Sequence, residues 1–327
     1  TRQRVIHFLE SRLQGSHGVA KTAPGWSNEM RRWIKWTAAV LGSVAVLGSA
    51  AAVVGLQLGE RKMARTIEVA VKPVPYVGET HALERGKYLF ESRGCVDCHG
   101  ANGGGRDFVN DGKGLRIAGP NITPGGVTAG YKPEDWVRTV RHGVKPGGKP
   151  VLIMPSEDYN RFTDQDLAAL VAYVRSLPAR QGGAAVIELP APVRILYGFG
   201  AIPDAAEKID HSLPPAQPIE AAVNAQHGAY VANMCIGCHG EHLSGGKIPG
   251  GPPDWPPAAD ITTGADSAML RYPDADKFVA MLRSGKRPDG TAIKVMPFES
   301  LGKMNDVDAQ ALYAYLKTVA PRPAAGR

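Results

Sequence analysis

Two copies of one five-residue stretch constrain this chain more than anything else in it: Cys95-Val96-Asp97-Cys98-His99 and Cys235-Ile236-Gly237-Cys238-His239. All four cysteines of the 327 residues fall in these copies, so none remains for a disulfide elsewhere. Only nine residues are histidine, and chance would place one after both pairs about once in a thousand sequences. Two C-x-x-C pairs can build a four-cysteine zinc site, and one pair can cycle as a redox disulfide. Neither accounts for a histidine after both pairs, nor for the 140 residues between Cys95 and Cys235.

C-x-x-C-H is instead the spacing of a c-type haem attachment site. The thiols of Cys95 and Cys98, and of Cys235 and Cys238, add across the haem vinyl groups. His99 and His239 then reach the iron as proximal ligands. The expectation is two covalently bound haem c groups.

The surroundings of the motif repeat as well. Gly86-Lys87-Tyr88 stands before the first motif as Gly228-Ala229-Tyr230 stands before the second. Asn121-Ile122-Thr123 matches Asp260-Ile261-Thr262, and Met154-Pro155 matches Met296-Pro297. Ala169-Leu170-Val171-Ala172-Tyr173 matches Ala311-Leu312-Tyr313-Ala314-Tyr315. A repeat in one register means two copies of one domain. Within the first copy the pattern predicts helices over 81–93, 133–142 and 163–177, the last opened by Thr163 and Asp166 as a capping box.

A six-coordinate haem needs a distal ligand, and a thioether favours reduced iron. Met154 is the one methionine between residues 66 and 220, and it lies 55 residues after His99. The second copy offers Met269, Met281, Met296 and Met304. Met296, 57 residues after His239, shares the Met-Pro context. Met154 and Met296 are therefore the expected axial ligands. Filling the core is the alternative role for a methionine, and His142 is the rival ligand in the first copy.

Thr37 to Gly59 carries no charge, and as a helix it spans about 34 Å against a hydrocarbon core of about 30 Å. Trp33 and Trp36 stand where an interfacial aromatic belt would begin. A cleaved signal peptide is the alternative, but its polar leader would be 36 residues long. The net charge of +7 is that of residues 1–72, which flank this run; residues 73–180 carry +2 and residues 181–220 carry −3. Basicity placed beside a membrane segment gives no nucleic-acid signature. Val5, Leu9 and Leu13 suggest a short amphipathic helix over 1–16.

The order helix, C-x-x-C-H, loop, Met-Pro and C-terminal helix with tyrosine resembles class I c-type cytochromes over about 79–180 and 221–320. The Asn-Ile-Thr and Met-Pro contexts resemble the membrane-anchored cytochrome c subunits of bacterial alcohol, aldehyde and sugar-acid dehydrogenases. Those carry three haems and a C-terminal anchor, where this chain has two motifs and an N-terminal apolar run. The resemblance implies an all-α fold: one N-terminal transmembrane helix and two tandem class I cytochrome c domains. It implies that the first and last helices of each domain cross, with Gly86 against Tyr173 and Gly228 against Tyr315. It also offers Asn121 and Thr123 as holders of a haem propionate, against a role in closing their own loop.

The expected organisation is a cytoplasmic segment 1–32, a transmembrane helix 33–59, a spacer 60–78, domains 79–180 and 221–320 joined by a Pro-rich linker 181–220, and a tail 321–327. Haem attachment outside the bacterial cytoplasmic membrane, again implied by the resemblance, puts the N-terminus in the cytoplasm and both domains in the periplasm. The function expected is electron transfer rather than catalysis. The protein would be a subunit of a membrane complex (a dehydrogenase, a quinol-oxidising complex or a terminal oxidase) or would deliver to a soluble cytochrome. The alternative is a dihaem enzyme such as a cytochrome c peroxidase or a thiosulfate dehydrogenase, which needs one open iron position.

Overall fold

The computed structural model describes residues 28–248, 251–252 and 254–323. The amphipathic helix expected over 1–16 lies outside these residues, as do positions 1–27 of the expected cytoplasmic segment and 324–327 of the tail. The chain divides into two compact units at Val53/Val54. Among the described residues the first unit is helix alone; the second holds both copies of the repeat.

Helix α1 spans Asn28–Ala64 and is long and apolar enough to cross a membrane. It lacks proline, opens with Glu29 and closes with Arg61 and Lys62, charges that complement the helix dipole. It begins five residues before the expected 33–59 and ends five after, so the expected spacer 60–78 starts as helix.

The first copy is built from α2 (Thr80–Ser92), the short α3 (Cys95–His99), α4 (Pro133–His142), the single turn α5 (Ser156–Tyr159) and α6 (Asp164–Ser176). Thr163 caps α6 by accepting from the Asp166 N–H at 3.0 Å, and Pro133 opens α4 with its fixed φ. Helices α2 and α6 cross at Gly86, where an added Cβ would sit 2.0 Å from the Ala169 carbonyl oxygen and 2.7 Å from Tyr173 Cβ. That approach aligns Leu89 and Phe90 with Leu167 and Val171 in a core that Val137 and Trp136 of α4 close.

The loop after His99 is not wholly irregular. Strands β1 (Arg106–Asn110) and β2 (Arg116–Gly119) form an antiparallel pair, and β3 (Val186–Glu188) adds to β2 from the Pro-rich segment. The segment 181–220 also forms α7 (Ala191–Gly198), opened by Pro190 and Pro192.

The second copy repeats the plan with α8 (Ala225–Ala232), α9 (Ile236–His239), α10 (Ala275–Ser284), α11 (Phe298–Leu301) and α12 (Asp306–Leu316). Its helices α8 and α12 cross at Gly228, where an added Cβ would sit 1.9 Å from the Ala311 carbonyl oxygen and 2.7 Å from Tyr315 Cβ. Among the described residues the fold is helical apart from the small sheet and three isolated bridges.

Candidate haem sites

The two C-x-x-C-H turns take the same shape. Each ends on a glycine at positive φ, Gly100 at 70° and Gly240 at 77°. Gly100 N–H donates to Val96 O at 3.0 Å, and Gly240 N–H to Ile236 O at 2.9 Å. Beyond the turn, Gly105 and Gly245 donate to the carbonyls of His99 and His239, both at 2.9 Å.

Each histidine is oriented by a backbone carbonyl some twenty residues on. His99 Nδ1 lies 3.0 Å from Pro120 O, and His239 Nδ1 lies 2.8 Å from Ala259 O. A ring that donates from Nδ1 to a carbonyl keeps its proton there and presents Nε2 as a lone pair, the tautomer a metal needs. Burial lowers the pKa of both imidazoles against these hydrogen bonds and holds them neutral.

The cysteines favour neutral sulfur. Burial, with smaller contributions from neighbouring charges, pushes the thiols of Cys95 and Cys235 up to about 12. All four are free of disulfides. Among the described residues no three His, Cys, Asp or Glu side chains converge as a metal site, so the four cysteines do not meet as zinc ligands.

Met154 and Met296 sit in matching backbone. Each is followed by a proline at φ −78°, with ψ 69° for Pro155 and 68° for Pro297. Each carbonyl accepts from the residue two on, Ser156 at 2.8 Å and Phe298 at 2.9 Å. Both side chains are half-buried at the margin of their core. Met269, Met281 and Met304 lie inside the second core, at 2–5 % exposure, as filling. His142, the rival ligand, ends α4 with its Nδ1 3.0 Å from Nδ1 of His211. Asn121 and Thr123 close their own loop: Asn121 Oδ1 accepts from the Thr123 N–H and hydroxyl at 3.0 and 2.7 Å, and Asn121 Nδ2 donates to Arg180 O at 2.7 Å.

Residues present in the first copy also fit a prosthetic group with polar substituents. The indole Nε1 of Trp136 is buried with no protein partner, in a side chain that is 5 % exposed. A buried donor normally has an acceptor, and a haem carboxylate is one of the right kind.

Sequence reasoning missed how the two copies meet. Ser300 of α11, four residues after Met296, donates its hydroxyl to Asp97 of the first C-x-x-C-H turn at 2.7 Å. Asp158 of α5, four residues after Met154, accepts from the Gly237 N–H of the second turn at 2.7 Å. Each attachment turn thus rests on the turn after the other copy's methionine, and the two candidate sites are neighbours. The repeat register made these four positions equivalent in pairs but held no signal for the crossing.

Comparison with known families agrees with this architecture. Residues 83–178 match the family described as cytochrome c, and residues 221–316 match cytochrome c oxidase, cbb3-type, subunit III. The chain is a protein of two tandem cytochrome c domains, and such domains hold haem c covalently. It is 26% identical over 288 residues to the fructose dehydrogenase cytochrome subunit of Gluconobacter japonicus, covering 78% of this chain and 56% of that protein. It is 37% identical over 101 residues to the gluconate 2-dehydrogenase cytochrome c subunit of Pantoea cypripedii, 28% of this chain and 22% of that one. To the cbb3-type cytochrome c oxidase subunit CcoP of Helicobacter pylori it is 29% identical over 169 residues, 50% of this chain and 51% of the relative. The chain spans about half or less of the length of these relatives.

Proposed function

We propose that this protein is a membrane-anchored dihaem cytochrome c that carries electrons as a subunit of a respiratory or dehydrogenase complex. Cys95 and Cys98 would hold one haem and Cys235 and Cys238 the other. His99 with Met154, and His239 with Met296, would fill the two axial positions of each iron. Bound there, haem supplies the cycle between ferrous and ferric iron; the protein supplies burial, ligands and position. The observation that carries the reading is the duplicated histidine geometry: both rings fixed through Nδ1 by a backbone carbonyl, each in a domain with a Met-Pro turn of matching backbone.

The chain's own residues perform three tasks in this reading. The Pro120 and Ala259 carbonyls hold the imidazoles in one tautomer. The apolar cores pack against Cys95 and Cys235, the first cysteine of each motif. The contacts Asp97–Ser300 and Gly237–Asp158 keep the sites side by side, which suits passage of an electron from one to the other. Iron held by His99 with Met154, and by His239 with Met296, would leave no place for a substrate, so no catalytic residue is assigned.

Helix α1 would cross the bacterial cytoplasmic membrane with its N-terminal side in the cytoplasm and the domains in the periplasm. The donor would be a dehydrogenase or a quinol-oxidising complex, and the acceptor a terminal oxidase or a soluble cytochrome. The names of the relatives, cytochrome subunits of dehydrogenases and of an oxidase, support such a partner. Purification from native membranes tests this reading. We expect a polypeptide carrying two haems by mass, co-purifying with an oxidoreductase and slow to bind carbon monoxide when reduced. A polypeptide without added porphyrin, or rapid carbon monoxide binding at one iron, overturns it.

A further inference from the structure

The segment between the two domains contains an apolar surface that the electron-transfer reading does not use. From Leu189 to Pro203 the sequence holds a single charge, Arg194, and includes Ile195, Leu196, Phe199 and Ile202. Helix α7 lies in this stretch and packs on the C-terminal end of α1. Gly55 and Gly59 of α1 are buried and one turn apart. A Cβ on Gly55 would meet Ile195 Cγ2 and Phe199 Cε2, both at 2.8 Å. A Cβ on Gly198 would lie 2.2 Å from Gly55 O and 2.7 Å from Gly59 N. Small residues here let two helix backbones touch, as they do in membrane helix pairs.

A polar layer follows at the C-terminal end of α1 and the residue after it. Arg194 pairs with Glu60 at 2.6 Å. Lys62 Nζ donates to Tyr197 O at 3.2 Å and pairs with Glu207 at 2.7 Å. Arg65 forks onto both oxygens of Asp204, at 2.5 and 3.0 Å, and Tyr197 donates to the same carboxylate at 2.7 Å. Apolar contact at residues 55–59 and charge at 60–65 is the profile of a membrane boundary. Yet Leu196 and Phe199 stay 48 % and 54 % exposed, and Phe199 touches Gly55 on the apolar side of it. A scattered exposed leucine is ordinary on a soluble surface. Two, fixed beside the end of an apolar span by a helix whose lone cation turns away to Glu60, are not scattered.

We propose that α7 is a membrane-seated foot, packed against the end of α1 with Leu196 and Phe199 in the acyl-chain margin of the bilayer. The occupant of the exposed apolar surface is lipid. The chemistry is that of an interfacial helix, apolar side down and charges at headgroup level. Strand β3 joins the foot directly to the sheet of the first cytochrome domain. The foot therefore sets that domain's attitude to the membrane surface, which a flexible tether would leave free. This inference rests on the reading that α1 crosses a bilayer.

Spin-label accessibility in the full-length, haem-loaded protein reconstituted into phosphatidylcholine–phosphatidylglycerol nanodiscs tests it. Leu196→Cys and Phe199→Cys are labelled separately, since Phe199 touches Gly55 and its loss could disturb the helix pair. Leu270→Cys, at an exposed position in the second domain, is the water reference, and Val46→Cys in the apolar run of α1 is the lipid reference. The native cysteines, bound as thioethers, should take no label. We expect the ratio of oxygen to nickel-chelate accessibility at 196 and 199 to exceed that at 270 several-fold. Values at 196 and 199 equal to that at 270, with Val46→Cys reading as lipid, overturn the foot and leave the anchor standing. A watery reading at position 46 removes the anchor and the foot together. Protection at 196 and 199 in native membranes but not in nanodiscs assigns the surface to a partner protein and likewise overturns the proposal.

Discussion

The Tyr88 hydroxyl of the first domain donates to the Asp308 carboxylate of the second at 2.6 Å. Tyr230, in the matching position of the second domain, donates to Asp166 of the first, also at 2.6 Å. Each acid also faces a base of its own domain at the residue before the helix-crossing glycine. Arg85 forks onto Asp166 at 2.8 Å, and His227 Nε2 lies 2.7 Å from Asp308. The two domains therefore meet about an approximate two-fold, and the contacts at the attachment turns obey the same relation. Arg93 breaks it: two residues before Cys95 and 3 % exposed, it pairs with Asp308, so the acid of the second domain carries a buried cation from the first.

Asp308→Asn should be the most damaging single change at this interface. Asn keeps the volume but leaves the Arg93 guanidinium buried beside a neutral amide. Removing one partner of a buried ion pair costs about 3–5 kcal/mol. The equivalent Asp166→Asn faces Arg85, which is part-exposed and can turn to water, so its cost should be clearly smaller. Denaturant unfolding of the two variants checks the order; equal losses would mean that Arg93 finds another partner.

The same carboxylate gives the interface an acid limit. Burial works to raise its pKa, but the Arg93 charge and the hydrogen bonds from Tyr88, Arg93 and His227 outweigh burial and hold it at about 2, below the ordinary 3.8. The folded state binds this proton more weakly than the unfolded chain does. Its contribution is full above about pH 4 and is lost as pH falls through about 2, a total of about 2 kcal/mol. Asp158 works in the opposite sense, because burial and the neighbouring Glu157 charge raise it well above 3.8. The parent's pH profile is then a mixture. The difference in unfolding free energy between parent and Asp308→Asn isolates the Asp308 contribution, and it should shrink from about pH 5 to about pH 2. A difference flat across that range would place the Asp308 pKa at its unfolded value.

The sequence made the modules legible because each is held by local signals. Thr163 marks a helix start that the backbone obeys, although the Asp166 carboxylate turns to Arg85 and Tyr230 and leaves the expected capping box half formed, and the Gly86–Tyr173 and Gly228–Tyr315 pairs fall where the helices cross. Matching Met-Pro contexts separated Met296 from three methionines that prove to be core. The docking of the copies was not legible. Tyr88 and Tyr230 stood out as equivalent, but a phenol that bonds across an interface reads the same as one that bonds within its own domain. Strands β1 and β2 were hidden by glycine-rich flanks and short length, and β3 by the prolines around it. The ion pairs tying residues 60–65 to α7 and the residues after it lie more than 130 positions apart, a separation that no periodicity reports.

Gly86→Ala and Gly228→Ala should each weaken one domain by overpacking. The added methyl would lie 2.0 Å from Ala169 O in the first and 1.9 Å from Ala311 O in the second, against backbone that cannot step aside as a side chain does. Forced separation of packed elements costs about 1–3 kcal/mol. Gly183→Ala, where nothing lies within 4 Å, is the control, and its effect should stay within about 0.5 kcal/mol. Thermal or denaturant unfolding measures all three; a tolerated Gly228→Ala would mean that α8 and α12 do not cross through this residue.

Met154→Ala tests the proposed iron ligand most directly. The side chain lies at the margin of the first core, half-buried, so its loss removes a thioether without opening a large internal cavity. Cys95, Cys98 and His99 are untouched, so the haem should stay covalently bound and the haem mass unchanged. Losing the soft neutral ligand that favours ferrous iron should lower one potential, by on the order of 0.1–0.3 V within the ~0.8 V over which axial ligands tune haem iron. The second domain keeps Met296, so a redox titration should show one step displaced and one in place. The vacated position should also let reduced protein bind carbon monoxide at one iron per chain. Met281→Ala, which truncates a buried methionine of the second core, should cost stability and move neither step far. A titration of Met154→Ala that overlays the parent would remove this residue from the coordination sphere and return His142 to contention.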